Sequence, residues 1–323
     1  MNDDRKRVLV AVGVTVLLFL GIQLGALALL EPFYESERQA VDDPANPTNS
    51  IVYFGIILVA TGFMLAAFKY DLQGLIRAMI VAVSVMLAWY VLSEFVPPVV
   101  TVGSTNALAA AAAVGVGAAL YLHPEWYVID GAGVLIGAGA AALFGISFGL
   151  LPALLLLTVL AVYDAISVYG TEHMLDLAEG VMDLKIPVVL VVPTTLSYSY
   201  LEPDSNPETL EDGGSEANDA DDERNIDRDA LFIGLGDAVI PTILVASAAF
   251  FLEAGTISVP FIALNWAALG ALVGTLAGLL VLMYMVLKGR AHAGLPLLNG
   301  GAIGGYLIGA LASGLSIATA LGL

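Results

Sequence analysis

The sequence predicts an all-α polytopic membrane protein with nine transmembrane helices, the N-terminus cytoplasmic and the C-terminus outside. Three observations carry this. First, 59% of the 323 residues are hydrophobic and only 13% charged, against roughly 45–50% and about 25% in soluble domains. Second, apolar stretches recur from Val8 to Leu323, each near the roughly 20 residues that cross a bilayer as a helix. They lack the short polar–apolar alternation of an outer-membrane barrel. Third, the basic residues fall almost entirely on one side of the predicted spans.

Breaks at charged or Pro/Gly-rich positions give spans at 8–30, 51–68, 78–97, 103–121, 127–148, 150–169, 231–251, 261–287 and 295–321. With the N-terminus inside, the inner segments hold Arg5, Lys6, Arg7, Lys69, Arg77, Lys185, Arg224, Arg228, Lys288 and Arg290, and the outer ones hold only Arg38. A miscount by one span scrambles that split, so the bias supports both the odd number and the orientation. Arg5 to Arg7 ahead of an apolar run also resemble a signal peptide, but the run exceeds the usual 7–15 residues, and it is read as a retained span.

The chain divides into a six-span part (1–201, including an interfacial segment), a hydrophilic loop (202–229) and a three-span part (230–323). The loop carries twelve acidic residues against Arg224 and Arg228, with Pro203, Pro207, Gly213 and Gly214. It has too little apolar surface to fold and is expected to be a disordered cytoplasmic linker. Thr171 to Leu184 places Met174, Leu175, Leu177, Ala178, Val181 and Met182 at helical spacing with acids between them. That pattern predicts an amphipathic helix at the membrane interface.

The absence of cysteine excludes disulfides, a thiolate nucleophile, Cys-ligated zinc and iron–sulfur clusters. His123, His173 and His292 are too scattered to predict a metal site, and no cofactor is expected. A net charge of −19 argues against nucleic acid as a partner. Such acidity with few lysines fits a soluble surface facing a very salty cytoplasm.

Ionisable residues inside apolar spans each cost at least about 2.5–3.5 kcal/mol on insertion scales, and two are the sharpest candidates. These are Asp164, in LLLLTVLAVYDAISVYG, and Asp237, in LFIGLGDAVIPTILVASA. Asp164 precedes Tyr169, the predicted inner end of span six, by five residues, and Asp237 follows Leu231 by six. At 1.5 Å per residue the depths are about 7.5 and 9 Å. The two carboxylates, on consecutive and opposite-running spans, thus come to matching depth, and two carboxyls a few ångströms apart share one proton and titrate as a pair. The ionised member takes a proton from water while the protonated one polarises a peptide carbonyl. The residues leave open a second class, a secondary transporter or channel using the same carboxylates as a proton or cation site. That class predicts internal sequence symmetry, which the six-plus-three division lacks.

Gly234-Leu235-Gly236-Asp237 removes side chains just ahead of one carboxylate, allowing close approach of another chain or local loosening of the helix. Span nine opens with Ala293-Gly294-Leu295-Pro296-Leu297-Leu298, where a proline in the first turn needs no hydrogen bond.

These ordered features, Tyr163-Asp164, Gly234-Leu235-Gly236-Asp237 and a Leu-Pro element opening span nine, resemble the presenilin and signal peptide peptidase family of intramembrane aspartyl (GxGD) proteases. Archaeal presenilin-like members are the most similar. The resemblance covers essentially the whole chain and is most specific over 160–240 and 290–300. It implies a presenilin-like fold in the cell membrane, hydrolysis of peptide bonds within transmembrane helices of protein substrates, and Asp164 and Asp237 as the catalytic pair. Tyr163, Gly234, Leu235 and Gly236 then belong to the active-site motif, and Leu295 and Pro296 position substrate. The family's Pro-Ala-Leu motif is altered: aligned on Leu295-Pro296, Ala293 and Gly294 stand where the family has Pro and Ala. An alternative frame over Pro296-Leu297-Leu298 keeps Pro and Leu and loses Ala.

Cleavage of a helix requires its unwinding into an extended segment. Ile186-Pro187-Val188-Val189-Leu190-Val191-Val192 is short and β-branched, and it is a candidate to pair with that segment as an added strand. The remaining features read as structural: GxxxG patterns through Gly300, Gly301, Gly304, Gly305 and Gly309, alanines 109–113, Asp130 as a helix N-terminal acid, and Glu94 and Glu253 near the outer surface. The oligomeric state is not fixed by the sequence.

Overall fold

The computed structural model describes residues 3–70, 72–103, 105–171, 188–193, 230–288 and 292–323. The protein is a mostly helical, polytopic membrane protein. Helices α1 (Asp3–Glu35), α2 (Thr48–Lys69) and α3 (Gln73–Phe95) come first, then a two-residue-a-side hairpin of β1 (Thr101–Val102) and β2 (Thr105–Asn106). There follow α4 (Ala107–Leu122), α5 (Trp126–Ser147) and α6 (Leu150–Ile166), which runs on as a π-helical turn, Ser167–Thr171. Strands β3 (Val189–Pro193) and β4 (Ala230–Gly234) precede α7 (Leu235–Phe251), α8 (Trp266–Val286), α9 (Gly294–Ala312) and the short α10 (Ile317–Ala320). Among the described residues seven helices are long and apolar enough to cross a membrane, and α4 and α7 are shorter apolar helices. The predicted interfacial helix from Thr171 and the 202–229 loop lie outside the described residues, except for the first residue of the former.

Four predicted spans change shape: span four opens in the β1–β2 hairpin and its helix begins at Ala107, capped by Asn106, and three others change for local reasons of their own. Span seven begins as a strand, not a helix: Ala230–Gly234 pairs antiparallel with Val189–Pro193, Val189 opposite Gly234 and Pro193 opposite Ala230. Both faces of this hairpin are covered. Leu190, Val192, Leu231 and Ile233 join a cluster with Phe19 and Ile22 of α1 and Leu279 of α8, while Val191, Ala230 and Phe232 pack with Ile129, Ala132 and Ile136 of α5. A strand buried on both faces is apolar without alternation, and such a run reads like a helix. The depth worked for Asp237 from a helical start at Leu231 is therefore replaced by a position in the first turn of α7.

Span eight starts at Trp266 rather than 261. Asn265 caps it, accepting from the Ala268 nitrogen at 2.8 Å and donating its amide to the Ala248 and Leu252 carbonyls at the end of α7. Span nine stops at Ala312, where Gly314 takes φ 85° and the Leu315 nitrogen reaches back to the Ala310 carbonyl, a glycine-terminated helix end.

Packing is graded across the bundle. α5 is the most buried span and α2 the least, so α5 is the interior post and α2 presents its sides to lipid. α8 and α9 approach backbone to backbone. A side chain at Gly270, Gly274 or Gly278 runs into the carbonyls of Gly305, Gly301 and Leu297, and one at Gly301, Gly305 or Gly309 into those of Gly274, Gly270 and Trp266. Of the overlapping glycine patterns in α9, the Gly301/Gly305/Gly309 face is thus the one used for packing, while Gly300 and Gly304 meet open space.

Candidate active site

Asp164 lies near the end of α6 and is 3% exposed. Its Oδ2 accepts a hydrogen bond from the Leu295 nitrogen at 3.0 Å. Leu295 is the second residue of α9, and the first four N–H groups of a helix have no partner within it. Asp164 supplies that partner from another helix, at the positive end of the α9 dipole.

Asp237 is half-buried in the first turn of α7. A Cβ built on Gly294 lies 3.3 Å from its Oδ2, and one built on Gly234 lies equally near. The two carboxylates therefore converge on one peptide unit, Gly294–Leu295, at the start of α9. The hairpin sets Asp237 there, because the Leu235 nitrogen donates to the Val188 carbonyl at 2.8 Å and fixes where strand becomes helix.

Two further contacts tie α6 to α9. The Ala293 nitrogen donates to the Tyr169 hydroxyl at 3.2 Å, and the Asn299 amide donates to the Leu157 carbonyl at 2.9 Å. Asn299 is fully buried. With Asp164–Leu295 between them, these bonds run along the α6–α9 contact from the π-turn toward the bundle interior.

A protein-family model described as "Signal-peptide peptidase, presenilin aspartyl protease" matches residues 16–315. This chain belongs to that family. Among solved structures, two described as a presenilin family intramembrane aspartate protease, in C222 and P2 space groups, are similar. The first is 33% identical with TM-score 0.64, covering 93% of this chain and 99% of that one. The second is 34% identical with TM-score 0.61, covering 92% and 96%. A comparison with curated protein sequences gave no significant match. The protein is a presenilin family intramembrane aspartyl protease, and the family acts on membrane-protein substrates.

In this protease the residues singled out from the sequence do not all gather at the carboxylates. Asp164, Asp237, Gly234 and Leu295 do. Pro296 is half-buried in the first turn of α9, next to Leu295. Tyr163 turns its ring toward α2, edge-on to Phe54 at 5.9 Å between centroids, since consecutive helical residues leave about 100° apart. Leu235 points into α5, its Cδ1 3.2 Å from a Cβ built on Gly137. Gly236 is exposed, and a Cβ there meets only Ile240, at 3.9 Å. Among the described residues no group of three His, Cys, Asp or Glu is placed to hold a metal ion.

Sequence reasoning missed Asn299 and Tyr169, and it read Asp130 as a helix N-terminal acid. The signal for Asn299 was present, a lone amide in an apolar span. Asp130 is not in the first turn: the Ile129 nitrogen already donates to the Glu125 carbonyl, so the helical ladder is running before it. It is buried, and its Oδ1 accepts from the Val191 nitrogen of β3 at 2.7 Å.

Proposed function

We propose that Asp164 and Asp237 are the catalytic pair of this protease and that they hydrolyse peptide bonds in transmembrane helices of protein substrates. The observation that carries the reading is the convergence of two carboxylates, from α6 and α7, on the Gly294–Leu295 peptide. The ionised carboxylate takes a proton from water, whose oxygen adds to the scissile carbonyl carbon while the protonated carboxyl donates to the carbonyl oxygen. Collapse breaks the C–N bond, with a proton passed to the leaving nitrogen, and no covalent enzyme intermediate forms.

The unwound substrate lies along the hairpin on its β4 side, in place of the β3 pairing expected from sequence. β3 is flanked: its inner edge pairs with β4, its Val191 nitrogen is held by Asp130, and Pro193 has no N–H to offer. β4 leads directly into Gly234-Leu235-Gly236-Asp237, and the bare, exposed Gly236 leaves room for a substrate backbone. Leu295 and Pro296, in the first turn of α9 beside Asp164, are assigned to positioning the substrate.

The seven long spans and two shorter apolar helices support the nine-span reading, the basic-residue bias supports the N-terminus inside and the active site toward the cytoplasm, and the cell membrane is the location that the resemblance implies. The acidic loop 202–229 then joins the six-span and three-span parts on the same side as the site. The chain's net charge of −19 supports a halophilic setting, and an archaeal one is what the resemblance implies.

Purified, detergent-solubilised protein incubated with a labelled single-span substrate tests the pair. Asp164→Asn and Asp237→Asn each abolish cleavage with folding intact; persistence in either excludes that residue from catalysis. The same variants separate this reading from a proton relay, which predicts proton flux in liposomes that both substitutions stop.

A further inference from the structure

The register of the hairpin gives Asp130 a position that the catalytic pair does not explain. The Leu235 nitrogen bonds the Val188 carbonyl, so Val188–Leu235, Leu190–Ile233 and Val192–Leu231 are the hydrogen-bonded pairs. Val189, Val191 and Pro193 turn their backbone groups to the other edge. On that edge the buried Asp130 carboxylate takes the Val191 N–H at 2.7 Å. A carboxylate in the fifth position of α5, past the unpaired N–H groups of the helix start, has no capping role there.

The same helix also seats the strand and the catalytic turn. A Cβ built on Gly133 lies 2.9 Å from Leu190 Cδ2 and 3.8 Å from Leu235 Cδ1, and Gly137 receives Leu235 at 3.2 Å. α5 therefore grips β3 by the Asp130 carboxyl oxygen at Val191 and receives the side chains of Leu190 and Leu235 one and two turns further along.

We propose that Asp130 is a positioning residue that fixes the β3–β4 hairpin against α5, and so sets which peptide bond of an aligned substrate meets the carboxylates. The inference rests on the proposed function above. Asp130 acts through Val191 on alignment. Asp237 is set by the Leu235–Val188 bond and by the seat of Leu235 at Gly137, and Asp164 by Leu295; Asp130→Leu leaves all three contacts in place, so the chemical step at an aligned bond is left nearly unchanged.

The test uses the full chain with a single-span substrate, reading kcat, KM, the cut positions by mass spectrometry, and hydrogen exchange at β3. In Asp130→Leu, exchange at Val191 and KM rise about ten-fold or more, kcat stays within about three-fold, and cleavage spreads to neighbouring bonds. Asp130→Asn keeps an acceptor oxygen and restores the parent's cut positions. Val191→Pro removes the donor on the edge facing away from β4, and it reproduces the rise in KM and the spread of cut positions whether or not Asp130→Leu folds. Combined with Asp130→Leu it adds nothing further. Unchanged cut positions and KM in folded Asp130→Leu or Val191→Pro overturn the proposal. So does a uniform loss of stability and rate with cut positions retained, which marks a structural role only. If cleavage survives Asp164→Asn or Asp237→Asn, the catalytic reading fails first, and the assignment of Asp130 to substrate alignment falls with it.

Discussion

Gly294 separates the demands of stability from those of catalysis, so substitutions there make a direct test of the site. A Cβ at 294 lies 3.3 Å from Asp237 Oδ2, 3.6 Å from its Cγ and 3.5 Å from Leu282 Cδ2, while unstrained contacts settle at about 3.5–4.0 Å. Alanine therefore pushes the carboxylate by a few tenths of an ångström. If a displacement of about 1 Å reduces rate about 10²-fold, a shift of about 0.3 Å lowers kcat roughly four-fold. Valine adds two methyl groups beyond that Cβ, forces a shift of about 1 Å, and lowers kcat on the order of 10²-fold. Stability moves the other way for alanine. Gly294 is the first residue of α9 and its φ is not in the positive region, so Gly294→Ala raises helix stability by up to about 1 kcal/mol. Alanine is also the residue the family pattern carries here under the Leu295-Pro296 alignment, so its penalty measures how closely α9 approaches Asp237 in this chain. Initial-rate cleavage of a single-span substrate, with thermal unfolding in the same detergent, reads both quantities. Valine with kcat within two-fold of the parent refutes the argument, because Asp237 is then not held against the start of α9.

Three more outcomes follow from contacts around the same junction. Gly301→Ala lowers the unfolding midpoint by an amount corresponding to about 1–3 kcal/mol, because its Cβ meets the Gly274 carbonyl, whereas Gly300→Ala, facing open space, is neutral or slightly stabilising; equal effects in thermal unfolding contradict the packing face assigned to α9. Tyr169→Phe removes the oxygen that takes the Ala293 N–H and lowers kcat about two- to ten-fold, with an unchanged kcat showing that this bond does not steady the α9 start. Asn299→Leu withdraws the donor to the Leu157 carbonyl and destabilises by about 1 kcal/mol, read as a lower denaturation midpoint, and no change means that lipid-like packing of leucine replaces the bond.

The parts of this architecture legible in sequence are those written in composition and charge. The long spans announced themselves through length, and Asp164 and Asp237 through the expense of a carboxylate in an apolar run. Illegible were the places where two structures share one composition. Ala230–Gly234 is as apolar as a helix because both of its faces are covered, and only its partner Val189–Pro193 decides that it is a strand. Asp130 is misleading for a similar reason: one acid near a helix start looks like a dipole partner until a distant strand supplies its hydrogen bond. The glycines of α9 announced close packing, but only α8 selects Gly301, Gly305 and Gly309 over Gly300 and Gly304.

The position of the carboxylates is a property of helix packing as much as of the two aspartates. Asp164 is anchored to α9 by one N–H of Leu295, and α9 in turn is fixed by backbone contact with α8. Glycine contacts leave little slack, since neither backbone has a side chain that adapts by changing rotamer. A displacement at Gly301, six residues and about 9 Å along the helix from Leu295, is therefore transmitted to the Asp164 hydrogen bond with little loss. Asp237 is fixed independently, by the strand that ends at Gly234 and by the seat that α5 gives Leu235. Support from α8 reaches Asp164 through α9, support from α5 reaches Asp237 through Leu235, and the two come together at the Gly294–Leu295 peptide as well as where Leu279 of α8 packs with the hairpin. Perturbing the α8 face at Gly274 is thus expected to act through Asp164, and perturbing the Gly137 seat of Leu235 on α5 through Asp237. Paired substitutions drawn from the two supports should then be additive in stability yet more than additive in kcat, because the proton transfer needs both carboxylates in register at once.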